Sequence, residues 1–145
     1  EISIPGESET GLPGAINSIT ALNGDDCVKF MLLIYGDEHA LDNEARDACY
    51  VESAALSRDL AASGHFIGAN PLHLTNSATS VRVRAGKQVV TDGPFAETRE
   101  QFGGYFLVDA KDRDEAIEIA ARIPGARWGT VEVRPVLEIP GLPDQ

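Results

Sequence analysis

The sequence predicts an α+β fold in which an antiparallel sheet carries two helices on one face. Segments typical of strands are interspersed with two segments whose apolar residues recur at helical spacing. Their order is strand, helix, strand, hairpin, strand, helix, strand. Without the hairpin the order is βαββαβ, which is the ferredoxin-like arrangement, so we expect that fold with an inserted β-hairpin.

The first part of the chain contains a buried strand and a long helix. Residues 28–35 are almost continuously apolar, which favours a strand covered on both faces. A helix is predicted for residues 43–63, capped by Asp42 or Asn43 and ended by Gly64. The apolar stripe of this helix consists of Ala45, Ala48, Cys49, Leu56 and Leu60.

Turn and capping signals divide the second part of the chain. Ala85-Gly86 separates two short extended segments, as in a hairpin with a two-residue turn. Asp112 with Glu115 resembles a capping box, which predicts the start of a second helix. The predicted elements are a strand at 65–69, a hairpin at 81–90, a strand at 104–109, a helix from Asp112 to Pro124-Gly125, and a strand at 128–136.

One folded domain is expected, with an extension at each end. Residues 1–27 carry five acidic residues, no base and no regular period, so we interpret them as a flexible extension. The domain itself is predicted to span residues 28–139. Residues 140–145 are expected to form a loop-like tail.

Composition argues against several classes of partner. The formal net charge of −11, with 23 acidic and 12 basic residues, disfavours binding to nucleic acid. No apolar run approaches the roughly 18 residues of a membrane span, and no signal peptide is recognisable, so a cytoplasmic location is expected. Cys27 and Cys49 alone do not form a disulfide framework.

The predicted sheet would have one face without helices. That face carries apolar residues of the first and fifth strands, and a bare apolar face rarely stays exposed. A second copy of the same sheet is the simplest cover, so we expect a symmetric homodimer with room for a small-molecule ligand in each half.

The least generic run of the chain is Asp92-Gly93-Pro94-Phe95-Ala96-Glu97-Thr98-Arg99-Glu100. With this run, the opening strand 29–38 and the later motifs at 103–106 and 131–135, the chain resembles the DGPF-domain branch of the YCII-related family over residues 28–136. The resemblance implies a dimeric α+β barrel. Relatives in that barrel superfamily include muconolactone isomerases and a chloromuconolactone dehalogenase, and some family domains are joined to sigma factors.

One feature of the other YCII branch does not carry over. Its proteins are credited with a His–Asp pair whose histidine lies on the first helix. The predicted first helix, residues 43–63, contains no histidine. A histidine-driven mechanism is therefore not implied for this chain.

Carboxylates of the DGPF run are the first candidates for chemistry. Asp92 at a strand end could act as a general base, or could instead be an acceptor within its own turn. Glu97 and Glu100 flank Arg99, so one carboxylate could stay ionised while the other takes a proton. The alternative for this cluster is a solvated charged loop.

Other candidates lie outside that run. Arg134 could hold a substrate carboxylate, or could pair with Glu132 or a partner subunit. Tyr35 and Asp37 could orient a ligand oxygen or relay a proton, although a tyrosine at a strand end is commonly a core residue. The predicted substrate-binding set is Tyr35, Asp37, His73, Phe95, Glu97, Glu100 and Arg134.

By analogy with the barrel superfamily that the resemblance implies, we expect a cofactor-independent enzyme that performs proton transfer or elimination on a small acid or lactone, with Asp92 as base. The alternatives are a non-catalytic ligand-binding or regulatory homodimer of the sigma-factor-associated type, and a purely structural role for the DGPF run. His39, His65 and His73 lack the spacing of metal ligands, and no nucleotide-binding pattern follows the first strand, so no metal or cofactor is expected.

Overall fold

The computed structural model describes residues 27–145, so nearly all of the predicted N-terminal extension, residues 1–26, lies outside the described residues. The chain forms a four-stranded and a two-stranded antiparallel sheet with helices. In chain order the elements are β1 (Val28–Gly36), α1 (Asn43–Ala62), β2 (Phe66–Pro71), a 3-10 turn (Thr75–Ser77), β3 (Thr79–Arg84), β4 (Lys87–Asp92), β5 (Gln101–Ala110), α2 (Arg113–Ala121), α3 (Gly125–Trp128) and β6 (Thr130–Pro135).

The larger sheet has the strand order β2-β5-β1-β6, with every neighbouring pair antiparallel. The long strands β1 and β5 lie at its centre, with Leu32 opposite Phe106. The fold is α+β with an antiparallel sheet, in agreement with the ferredoxin-like expectation. The strands β3 and β4 form a separate two-stranded sheet between β2 and β5 in the chain.

The core lies between one face of the larger sheet and the helices. Alternate residues of a strand point to the same face, and Leu32 of β1 and Val108 of β5 are completely buried on this one. Leu60 of α1 and Ile123 after α2 cover them. Burying one such side chain contributes about 1.5–3 kcal/mol, so these layers supply much of the stability.

Short polar residues fix the helix ends as predicted. The Asp42 carboxylate accepts a hydrogen bond from the Ala45 N–H at 2.8 Å, and Gly64 beyond α1 has a φ of +81°. Asp112 accepts from the Glu115 N–H at 2.9 Å, while the Glu115 carboxylate accepts from the Lys111 N–H. These bonds satisfy donors that each helix leaves unpaired at its start.

The last strand begins later than predicted. Residues 128–136 were expected to be extended, but Gly125–Trp128 forms one helical turn and β6 begins at Thr130. The Gly129 N–H closes that turn by donating to the Gly125 carbonyl at 2.8 Å. Pro124-Gly125, expected only to stop the second helix, therefore also starts this turn.

The β3–β4 hairpin extends beyond the core. Ala85 and Gly86 have φ values of +52° and +74°, the left-handed pair of a type I′ turn. Every residue of β4 is exposed, and so is nearly all of β3. At its base, the Gly93 N–H donates to the Ala78 carbonyl at 2.7 Å, which ties the end of the hairpin to its beginning.

The other face of the larger sheet carries apolar side chains. Met31 and Leu33 of β1 alternate with the buried core residues, as do Tyr105 and Leu107 of β5. All four are partly exposed. Within residues 27–145, no helix has the length and apolar character needed to cross a membrane.

Candidate functional site

A cleft opens beside the carboxyl end of β1, between two loop segments. One wall is residues 72–78, which join β2 to β3, and the other is residues 93–100, here called the DGPF segment. The cleft has a volume of about 620 Å³. We call it the motif cleft; its lining includes Tyr35, His73, Thr75, Phe95, Glu100 and Phe102.

The first wall is attached to β1 by a carboxylate. Glu38 follows β1 and accepts hydrogen bonds from the Thr75 N–H at 2.8 Å and the Thr75 hydroxyl at 2.7 Å. The Leu72 N–H donates to the Gly103 carbonyl of β5 at 2.9 Å. These bonds hold residues 72–78 beside the sheet.

The second wall is held at its turn. Gly93 has a φ of +105°, a conformation that glycine adopts without the steric cost a side chain would bring. The Ser80 hydroxyl donates to the Gly93 carbonyl at 2.8 Å. Further on, Phe95 is 79% exposed and its ring lies 5.3 Å from the Arg82 guanidinium carbon, a cation–π distance.

An irregularity in the sheet places an aromatic pair in the motif cleft. The register between β1 and β5 shifts after Ile34, so that Tyr35 lies opposite Phe102 and Gly103 is the extra residue. The two rings are 5.6 Å apart and tilted. The bulge therefore sets where the Tyr35 phenol and the Phe102 ring meet the cleft.

Glu100 is the half-buried carboxylate of the motif cleft. Its Oε1 accepts a hydrogen bond from the Thr130 hydroxyl at 3.0 Å, and within residues 27–145 its Oε2 has no hydrogen-bond partner. His73 lines the same cleft and is exposed. Tyr35, His73 and Glu100 thus come together from three separate segments, and a proton donor and a proton acceptor lie in one hollow.

Two other predicted residues line a different hollow. Asp37 and Glu97 line a smaller depression of about 220 Å³. The Asp37 carboxylate lies 3.9 Å from the Arg99 Nε and accepts from the His39 N–H at 2.9 Å. These two carboxylates therefore do not line the motif cleft with Glu100.

Asp92 and Arg134 do not line the motif cleft. Asp92 is the exposed last residue of β4, and within residues 27–145 its carboxylate makes no hydrogen bond. The Arg134 side chain is 68% exposed and its Nε lies 3.8 Å from the Glu132 carboxylate. This is the Glu132 pairing that we left open as an alternative for Arg134.

Several residues near the site were not predicted. Arg46 of α1 lines a hollow next to the motif cleft and donates to the Glu38 carbonyl at 2.7 Å. Gln101 borders both this hollow and the motif cleft. Arg46 also donates to the Leu41 carbonyl, and Gln101 donates to the Thr98 carbonyl, but no sequence motif predicts that either residue lies at the site.

An ion pair lies on the helical side of the molecule. The Arg127 guanidinium donates two hydrogen bonds to the Glu52 carboxylate, at 2.8 and 2.9 Å. These hydrogen bonds lower the pKa of Glu52, although desolvation opposes them, and they raise the pKa of Arg127. Within residues 27–145, no group of three or more His, Cys, Asp or Glu side chains could hold a metal ion.

The fold and the cleft together define an α+β protein with an antiparallel sheet and a loop-bounded site at one end of its central strands. Comparison with known proteins agrees: residues 28–140 match the model of the YCII-related domain, and the chain belongs to that family. An uncharacterised protein of Rhizobium meliloti (strain 1021) is 34% identical over 112 residues, covering 74% of this chain and 90% of the relative.

Proposed function

We propose that this YCII-related protein, a member of the DGPF branch, is a cofactor-independent enzyme that moves a proton on a small neutral carbonyl compound such as a lactone. The observation that carries the proposal is the meeting of Tyr35, His73 and Glu100 in one cleft. A general acid and a general base must lie within hydrogen-bond reach of one substrate, and residues that line one cleft are candidates for both roles.

The lining of the motif cleft favours a lactone over a carboxylic acid. No lysine or arginine is among the described residues that line it, whereas Glu100 is. A carboxylate buried beside another carboxylate without a cation is unfavourable. A lactone carbonyl, in contrast, needs only a hydrogen-bond donor, and Tyr35 and His73 supply one.

In the proposed reaction Glu100 takes the proton from the carbon next to the lactone carbonyl. The C–H bonding electrons then form the enolate, while Tyr35 or His73 donates a hydrogen bond to the carbonyl oxygen. With a β,γ-unsaturated lactone, return of the proton to the γ-carbon gives the conjugated isomer. With a leaving group on the β-carbon, its departure with the enolate electrons gives elimination. Glu100 replaces Asp92 as the base in this scheme because Asp92 lies outside the cleft.

The test is hydrogen exchange of γ-butyrolactone in D₂O, followed by loss of the proton NMR signal next to the carbonyl. We expect exchange above the buffer rate, and general-base catalysis predicts that Glu100→Gln slows it about 10²–10⁴-fold. Asp92→Asn is the matched control from the same motif and should leave the rate unchanged. A buffer-level rate with wild-type protein would contradict the proposed enzyme.

We also propose that two copies of the chain associate through the open face of the larger sheet. Met31, Leu33, Tyr105 and Leu107 leave an apolar patch there, which favours an interface between copies of the protein.

Stabilisation by γ-butyrolactone without any exchange would indicate the alternative function, a ligand-binding or regulatory homodimer.

A further inference from the structure

A second cleft lies under α1, on the helix-covered side of the sheet. The carboxyl-terminal half of α1 packs on the sheet through the buried Leu56 and Leu60. Toward its amino-terminal half, the helix lines the space above the sheet with Cys49, Tyr50, Ser53, Ala54 and Ser57, and all of these side chains except that of Tyr50 are short. The result is a gap of about 490 Å³, which we call the α1 cleft.

The α1 cleft is apolar. None of the described residues that line it is charged, and its walls include Phe66, Phe106 and Ile123. Asn70 and Tyr105 also border it, but they are paired residues whose side chains belong to the other face of the sheet, where the Asn70 amide donates to the Tyr105 hydroxyl at 3.0 Å. Such a space is suited to alkyl or aryl carbon atoms.

A narrower hollow of about 150 Å³, whose lining includes Asp37, Glu38 and Arg46, adjoins both clefts. It shares Tyr35, His73 and Gln101 with the motif cleft. It also shares Cys49 and other residues with the α1 cleft. We call these three adjoining hollows the trough. Glu100 lines its end at the DGPF segment, whereas no charged residue lines its end under α1.

From this difference in lining residues we infer the substrate class: a neutral carbonyl compound whose polar head lies beside Tyr35, His73 and Glu100 in the motif cleft and whose apolar tail lies in the uncharged α1 cleft. The inference rests on the proposed function for its head group and adds the tail. Both ends of the trough fall within the usual range of small-ligand pockets, about 300–1,000 Å³.

The experiment measures the affinity of wild-type protein for γ-butyrolactone, γ-hexalactone, γ-octalactone and γ-decalactone by calorimetry. These compounds share one head and differ only in alkyl tail length. Burial of a methylene group predicts a dissociation constant that falls about fourfold per added carbon until the α1 cleft is full. An affinity that does not change along the series would overturn the tail site.

Filling the α1 cleft gives the second arm. In wild-type protein the affinity should rise from γ-butyrolactone to γ-octalactone. Ser53→Leu and Ser57→Leu, tested separately, should each make this rise in affinity at least tenfold smaller, while the affinity for γ-butyrolactone stays the same. Ala61→Leu, on an exposed position of α1 outside the cleft, is the control. A tail-length effect that survives both cleft variants would place the tail elsewhere and overturn the inference.

The two proposals fail in different ways. Tail-length-dependent binding that Ser53→Leu abolishes, without any deuterium exchange, supports the α1 cleft and contradicts the enzyme. Exchange of γ-butyrolactone that Glu100→Gln slows, without tail dependence, supports the enzyme and contradicts the tail site. No binding by any lactone of the series would overturn both.

Discussion

The carboxylate of Glu38 accepts two hydrogen bonds from Thr75, a residue 37 positions later, at 2.8 Å from the N–H and 2.7 Å from the hydroxyl. This contact joins the end of β1 to one wall of the motif cleft. Charge-assisted bonds of this kind are among the stronger polar contacts in proteins. The shape of the cleft therefore depends on a residue that is itself outside it.

Loss of the Glu38 carboxylate should loosen that wall. We expect Glu38→Ala to lower the free energy of unfolding by about 1–3 kcal/mol, because the Thr75 donors lose their acceptor. Hydrogen exchange of amides 72–78 should accelerate, and lactone affinity should fall. Glu38→Gln retains one acceptor oxygen and should have a smaller effect. Equal exchange in wild type and Glu38→Ala would show that the contact does not hold the wall.

Gly129 allows α3 and β6 to approach the end of β1. A Cβ at this position would overlap the Tyr35 carbonyl oxygen, which is backbone and cannot move aside. We expect Gly129→Ala to lower the free energy of unfolding by about 1–3 kcal/mol or more, measured by urea denaturation. Gly68→Ala is the control, because a Cβ there meets nothing within 4 Å. Similar midpoints for the two variants would contradict this account of Gly129.

The Glu52–Arg127 pair should make stability depend on pH on the acid side. Hydrogen bonding to Arg127 lowers the folded pKa of Glu52, so its contribution is present above the unfolded pKa of about 4.3 and is lost as the pH falls through the folded value. The difference in Tm between wild type and Glu52→Gln should thus be largest near neutral pH and vanish in strong acid.

Glu118→Gln serves as the control for that titration, because Glu118 is exposed and has no ion pair within residues 27–145. High salt should reduce the Glu52 effect, since the pair is open to solvent. A Tm difference that grows on acidification would contradict a lowered pKa for Glu52 in the folded protein.

Ala85 occupies a left-handed position that alanine tolerates poorly. Its φ of +52°, next to Gly86, fits the Asn-Gly sequence that type I′ turns prefer. We expect Ala85→Asn to stabilise the hairpin by about 0.5–1 kcal/mol, seen as slower hydrogen exchange of the β3 and β4 amides. Lys87→Asn, which follows the turn, should give no such gain. Faster exchange in Ala85→Asn would contradict the turn assignment.

A charge on the open sheet face should separate the proposed dimer. We expect light scattering to give wild-type protein about twice the 15.5 kDa mass of one chain. Leu33→Arg or Met31→Lys should lower the measured mass to that of a single chain. Ile117→Arg, on the exposed side of α2, is the control and should leave the mass unchanged. A wild-type monomer would overturn the dimer.

Local patterns were sufficient to predict most elements. The apolar run of β1, the caps at Asp42 and Asp112 and the stop at Gly64 each express short-range chemistry that sequence alone reveals. The predicted start of the last strand at Trp128 was wrong. Val131 and Val133 gave a strand pattern, but the helical turn before them depends on a hydrogen bond between the Gly129 N–H and the Gly125 carbonyl.

The candidate site was predictable only in part, because its geometry depends on contacts between distant segments. Tyr35, His73, Phe95 and Glu100 were selected from the sequence and meet in the motif cleft. The bulge opposite Tyr35 shifts the pairing of β1 with β5 by one residue, and no sequence motif predicts this shift. Asp92 looked suitable by position, yet the direction of the hairpin leaves it exposed.

The most direct test of the ligand site is a titration of isotope-labelled protein with γ-octalactone, followed by amide and methyl chemical shifts. We expect the changes to concentrate at residues 72–78, residues 95–102 and the side of α1 that carries Ser53, with the outer surface of α2 unaffected. Shift changes confined to α2 or to the β3–β4 hairpin, or none at saturating lactone, would contradict a small-molecule site between the DGPF segment and the sheet.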